Sequence, residues 1–145
     1  MRRTVHRSAL VTHSAEAMYA LVTDVASYPA FLPWCRGAEV VEASPTTMRA
    51  RIELARGGLA QWFTTVNTLD AGRSIAIALE SGPFRELGGR WTFEPLGDAG
   101  CKVTLDMRFE FDGSLLDLAL GPVLQDSFAS LLDAFVARAA ALDRG

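Results

Sequence analysis

The sequence predicts an α+β protein: a curved antiparallel sheet of about six to seven strands wrapped around a long C-terminal helix, with two short helices after the first strand. Three observations carry that expectation. Residues 101–112 alternate without exception, Cys101, Val103, Leu105, Met107, Phe109 and Phe111 against Lys102, Thr104, Asp106, Arg108, Glu110 and Asp112, the period-2 mark of a strand with one dry and one wet face. After Asp112-Gly113-Ser114 the spacing becomes helical, with Leu116, Leu120, Leu124, Phe128, Leu131 and Phe135 on one side. Between residues 36 and 112, β-type segments are separated by glycine-marked turns.

Residues 4–11 read as the first strand. Ser14 then offers an N-cap hydroxyl with Glu16 in the following turn, and Met18, Leu21, Val22 and Val25 put one apolar stripe on a short helix. Pro29 and Pro33 bracket Ala30, Phe31 and Leu32, so at most one helical turn fits between them. SYPAFLPWC at 27–35 is nonetheless more apolar and aromatic than a surface loop needs to be. Ala50, Ile52 and Leu54 alternate with Arg49, Arg51 and Glu53 as a half-buried strand, and Gly57-Gly58 makes a turn. Residues 62–69 are rich in Thr, Val and aromatics, and Asp70-Ala71-Gly72 breaks them off before Ile75, Ile77 and Leu79. Gly88-Gly89 marks a further turn or bulge, after which Trp91 and Phe93 face one way and Arg90, Thr92 and Glu94 the other. A continuous helix over 114–142 would run about 43 Å, longer than the roughly 36 Å of an eleven-residue strand, so it can cover the sheet from end to end. At Gly121-Pro122 either that helix kinks, or a short helix ends near Leu120 and a longer one starts with Pro122 at its first position.

Half of the 145 residues are hydrophobic, 21% are charged and the net charge is −3, which argues for one folded unit over 1–145 and against disorder. Thirteen Arg and one Lys are scattered among seventeen acidic residues, so no basic block marks a DNA-binding face. Cys35 and Cys101 belong to no CxxC pair and have no His at ligand spacing, which fits a reducing compartment without a metal site. No continuous apolar segment suits a signal peptide or a membrane span, so the expected location is the cytoplasm, with peripheral contact at the inner membrane face left open. Residues 115–120 are apolar apart from Asp117, as suits a segment buried on both sides, dipping into lipid or touching a second subunit.

Hydrolase-elbow, zincin, P-loop and dinucleotide motifs are all missing, and the histidines are His6 and His13 alone. A Cys35–His pair is the one nucleophile arrangement to test, against the commoner role of a lone cysteine as a small buried hydrophobe. Asp106 and Glu110 share the wet face of a strand, where solvation is the ordinary role. The positive signal is aromatic: Tyr28, Phe31, Leu32 and Trp34 in the proline-bracketed segment, and Phe84 after Gly82-Pro83. These rings either plug the ends of the sheet or form a gated mouth for a lipid-like molecule. In the second case each buried methylene contributes roughly 0.8 kcal/mol, enough for a few isoprene units to bind without strong polar contacts.

Residues 24–35, Phe63-Thr64-Thr65, Gly82-Pro83-Phe84, Gly89-Arg90-Trp91-Thr92-Phe93-Glu94-Pro95-Leu96 and Phe109-Glu110-Phe111 together resemble the coenzyme Q-binding START-like family, within the polyketide cyclase/dehydrase and lipid-transport superfamily. That family also contains a bacterial ribosome-association toxin. The likeness covers nearly the whole chain. It implies a helix-grip fold whose cavity, between sheet and C-terminal helix, holds ubiquinone or a related polyisoprenoid lipid, with no catalytic residue, cofactor or metal, in support of respiratory electron transfer. The mouth carried over from the motif is Tyr28, Phe31, Leu32, Trp34 and Phe84. The alternation pattern adds a lining of Trp91, Phe93, Phe109, Leu120, Leu124, Phe128 and Phe135. The partner implied is a hydrophobic quinone or lipid, met through transient membrane contact. The alternative partner is the ribosome, where Arg49, Arg51, Arg90 and Arg108 are the positions for a local basic patch on an otherwise acidic chain. A third reading, a cyclase or dehydrase, needs a polar group deep in the cavity, for which His6 and Arg7 are the candidates. Pro122 stands where relatives are expected to carry an ordinary helix former, and the lack of the targeting extension of mitochondrial relatives points to a bacterial chain.

Overall fold

The computed structural model describes residues 2–56, 58–98 and 100–143. Its elements follow in the order β1 (Arg3–Val11), α1 (Ala15–Thr23), a 3-10 turn (Val25–Ala30), β2 (Cys35–Ala43), β3 (Thr47–Arg56), β4 (Leu59–Asp70), β5 (Ser74–Ser81), β6 (Phe84–Leu96), β7 (Gly100–Phe111), α2 (Ser114–Ala129) and α3 (Leu131–Asp143). The strands form one antiparallel sheet ordered β1-β7-β6-β5-β4-β3-β2, so the two short helices carry the chain from one sheet edge to the other. Of the Gly57-Gly58 turn, Gly57 lies outside the described residues.

The alternating strand is β7, and all six of its apolar positions are buried. Ser14 caps α1 as expected, its hydroxyl accepting from Ala17 N at 3.1 Å, and Met18, Val22 and Val25 lie in the core. The second short helix runs into the proline bracket: the 3-10 turn contains Pro29 and ends at Ala30, and Leu32 N bonds back to Tyr28 O at 2.9 Å.

Gly88 and Gly89 make no turn. Both lie inside β6, whose irregularity falls between Phe84 and Glu86. A Cβ on Gly89 would stand 2.1 Å from Asp106 O and 2.5 Å from Met107 Sδ, so glycine here permits a close approach of neighbouring backbones.

The C-terminal helix breaks at neither place that Pro122 suggested. α2 runs unbroken through Pro122, and the break falls at Ser130, where α2 and α3 meet at 46°. Pro122 removes the bond to the Leu118 carbonyl, but both residues are exposed, so the freed carbonyl lies on the solvent side of α2. At the real break Ser127 Oγ donates to Val123 O (2.7 Å) and Ser130 Oγ to Asp126 O (3.0 Å), back-bonding that bends helices.

Gly121 has its own reason. The Arg3 side chain of edge strand β1 lies across α2 at this residue, donating to Gln125 Oε1 (2.9 Å) and facing Asp117 Oδ2 (3.4 Å), and a Cβ on Gly121 would stand 2.7 Å from Arg3 Nε. The three helical residues are four apart, so one guanidinium spans two turns of the same face. Among the described residues no single helix is long and apolar enough to cross a membrane.

Replacing Arg3 by Met takes the donor from partly buried Gln125 Oε1 and the facing charge from Asp117, and thermal unfolding should register a loss of about 1–3 kcal/mol that Arg3→Lys, lacking the fork, restores only in part. Because the freed carbonyl faces solvent, Pro122→Ala should raise stability by no more than about 2 kcal/mol, the roughly 3 kcal/mol helix penalty of proline less its roughly 1 kcal/mol restraint of the unfolded chain; a larger gain in denaturation experiments would contradict the solvated-carbonyl account.

Candidate functional site

The helices do not cover the sheet evenly. α1, α2 and α3 lie over β1, β6 and β7, and the 3-10 turn lies on β2, leaving the concave face of β3, β4 and β5 without a helix in close contact. The gap is a cavity of about 70 Å3. Its sheet wall consists of Met48, Ala50 and Ile52 of β3, Phe63, Thr65, Asn67 and Leu69 of β4, and Ile75 and Ile77 of β5. Val22, Tyr28, Trp34, Phe128 and Leu131 close the opposite side.

Among the described residues no Asp, Glu, His, Lys or Arg lines this space, and Tyr28 is the one titratable group among them that does. Burial holds the Tyr28 phenol far above its ordinary range, and its hydroxyl is spent on the Val22 carbonyl. Cys35 lies outside the lining: burial pushes its thiol up to about 11, and Sγ donates to Gly37 O at 3.3 Å with no histidine partner. It is therefore a protonated, inert thiol at neutral pH. His6 is exposed on β1 and paired with Asp106, while Arg7 donates to His6 O at 2.9 Å; neither lines the cavity. Among the described residues no cluster of His, Cys, Asp or Glu suits a metal ion.

Of the twelve site residues expected from sequence, Tyr28, Trp34, Trp91 and Phe128 line the cavity. Phe31, Leu32, Phe84, Phe93, Phe109, Leu120, Leu124 and Phe135 are not in its lining and belong to the surrounding core, all buried except half-buried Phe31. Phe84 stacks on Phe111 at 4.6 Å and meets Phe63 edge-on at 5.4 Å, at one remove from the lining. The walls from β3, β4 and β5 were not foreseen, although Phe63, Thr65, Asn67 and Leu69 hold the signal: one strand face carrying two polar residues between two apolar ones.

A second, outward cleft of about 350 Å3 lies between Pro33, Trp34, Ala55 and Arg56 on one side and Pro122, Val123, Asp126, Ser127 and Ser130 on the other. Trp34 belongs to both linings, so its side chain stands between the internal space and the outer one. It is held edge-on to Phe128 at 6.3 Å and is 9% exposed.

Known proteins place this architecture. The Zhui aromatase/cyclase from Streptomyces sp. R1128 superposes with a TM-score of 0.82 over 97% of this chain and 94% of that one, at 20% identity, a likeness of fold. The ribosome association toxin RatA of Pseudomonas aeruginosa is 46% identical over 139 residues, covering 96% of each chain. The mitochondrial coenzyme Q-binding protein COQ10 homolog B of Xenopus laevis is 28% identical across 82% of this chain and half of its own length. The family model for polyketide cyclase / dehydrase and lipid transport matches residues 11–136. A seven-stranded sheet gripping bent C-terminal helices around an apolar gap, with that match, makes the chain a member of the polyketide cyclase / dehydrase and lipid transport family.

Proposed function

We propose that this protein binds a hydrophobic, ring-bearing isoprenoid of the quinone class in the cavity under β3, β4 and β5, as a non-enzymatic cytoplasmic carrier that meets the membrane transiently in support of respiratory electron transfer. The observation that carries this reading is the wall itself, which offers apolar area and two uncharged polar side chains from β4 but no acid or base of ordinary pKa for turnover. The coenzyme Q-binding relative supports the ligand class.

At about 70 Å3 the resting space is under half of the roughly 150 Å3 that takes up benzene in an engineered apolar cavity. Binding therefore requires the walls to yield. Withdrawing Trp34 would join the cavity to the outer cleft, and unbranched Met48 and Met107 in the lining give way more readily than branched side chains.

A second reading, association with the ribosome, is favoured by the 46% identity with a ribosome association toxin over 96% of both chains. The outer sheet face gives it little electrostatic support. Arg49 pairs with Glu42 (2.7 Å) and Glu80 (2.9 Å), Arg51 pairs with Glu39 (2.6 Å) over the Trp62 ring, and Arg108 lies 3.6 Å from Glu86. Arg90 donates to Ser74 Oγ at 3.4 Å. Arginines already matched by carboxylates release few counterions on meeting RNA, so contact through ribosomal protein suits this surface better than phosphate capture.

Protein purified from bacteria without detergent should yield a stoichiometric isoprenoid quinone on organic extraction and mass spectrometry. Ala50→Leu, whose added carbons fill the cavity, should lose it at least tenfold with its melting temperature kept, and a wild-type extract free of lipid would remove the carrier reading. On the second reading, overproduction shifts joined ribosomes toward free subunits on a sucrose gradient, and Arg49→Glu with Arg51→Glu leaves that shift intact; an unaltered wild-type profile removes the ribosome.

A further inference from the structure

Two buried side-chain polar atoms lack a hydrogen-bond partner among the described residues, His13 Nδ1 and Asn67 Oδ1. His13 is held at its other ring nitrogen by Asp143 and lies away from the cavity. Asn67 lines it. On β4 it pairs with Met48 on one side and Ile77 on the other, both apolar members of the same wall, so neither neighbouring strand offers it a side-chain partner.

An acceptor buried without a partner costs about 1–3 kcal/mol, which leucine at the same position would avoid. Thr65, two residues earlier on the same strand face and 4% exposed, adds a hydroxyl to the lining roughly 7 Å away along the strand. The apolar wall thus carries one short polar strip. An amide oxygen accepts and cannot donate, so the ligand group that satisfies it must bring a hydrogen. Turning the carboxamide over would present its N–H2 instead. A hydroxyl, donor and acceptor together, satisfies both settings, whereas a carbonyl or ether oxygen satisfies only the second.

We infer that Asn67, assisted by Thr65, is a hydrogen-bonding subsite inside the cavity that selects a ring bearing a free hydroxyl, a phenol or hydroquinone, over the same ring carrying a carbonyl or an ether. This rests on the reading that the cavity takes a ring-bearing apolar ligand, and it adds which oxidation and substitution state is held. The geometry orients the ligand as well. Phe63 and Asn67 are four residue steps apart on β4, about 13 Å, so a ring whose hydroxyl is held at Asn67 leaves its chain free to run along the strand past Phe63.

The test uses 4-butylphenol and its methyl ether, 4-butylanisole, titrated calorimetrically into the full chain and into Asn67→Leu and Thr65→Val. For the wild type the phenol should bind about tenfold more tightly than the ether. Asn67→Leu should collapse that ratio to near one by weakening the phenol, with ether affinity kept and the melting temperature equal or higher. Thr65→Val should lower the ratio by a smaller factor. If Asn67→Leu binds both probes with the wild-type ratio, Asn67 merely holds a resident water and the inference falls while the cavity reading stands. If the wild type binds neither probe, the cavity reading falls and takes the inference with it.

Discussion

Two rings pin the C-terminal helices to the proline-bracketed segment and to the sheet. Phe135 of α3 meets Tyr28 at 5.4 Å, Phe31 at 5.3 Å and Trp91 at 5.4 Å, each edge to face. Phe128 of α2, two turns earlier, meets Trp34 at 6.3 Å and Phe109 at 5.4 Å in the same manner. Each such pair contributes about 0.5–1.5 kcal/mol beyond its buried area and fixes an angle as well as a distance. The proline-bracketed segment is held down by the helices through these contacts, and the helices are held to β6 and β7 by the same two side chains. With its large rings committed to that half of the sheet, the molecule fills the other half with smaller residues and leaves the gap under β3, β4 and β5.

The outside and the inside of the sheet obey different rules. Outside, arginines and carboxylates of neighbouring strands neutralise one another, as at Arg49 with Glu42 and Glu80. Exposed pairs of this kind add little stability, and their effect is to flatten the field around the sheet. Inside, no charged side chain lines the cavity among the described residues, and its polarity is confined to a few uncharged side chains, with Thr65 and Asn67 on the sheet wall.

Strand faces were legible because burial follows period 2 wherever a strand has one dry side, and β7 obeys that rule at every position. The Ser14 cap was legible because its chemistry is local. Neither kind of signal says where helices settle on a curved sheet, and so the alternation that put Phe93 and Phe109 on the inner face could not tell that helices cover them while Ile75 and Ile77 border a gap. Pro122 attracted a break that Ser130 makes instead, since the cost of a helical proline depends on whether the freed carbonyl meets water, a tertiary fact. Gly88-Gly89 carried the composition of a turn and proved to be two backbones in close contact, a distinction that exists only once β6 and β7 are paired.

Ser130 lies between two cavity residues, Phe128 at the end of α2 and Leu131 at the start of α3. Any change in the 46° angle between the helices moves those two side chains relative to each other. The two helices are thus joined at the edge of the cavity, and on the proposed carrier reading a small rotation at that one joint would alter the room inside while the hydrogen-bonded strands need not slide.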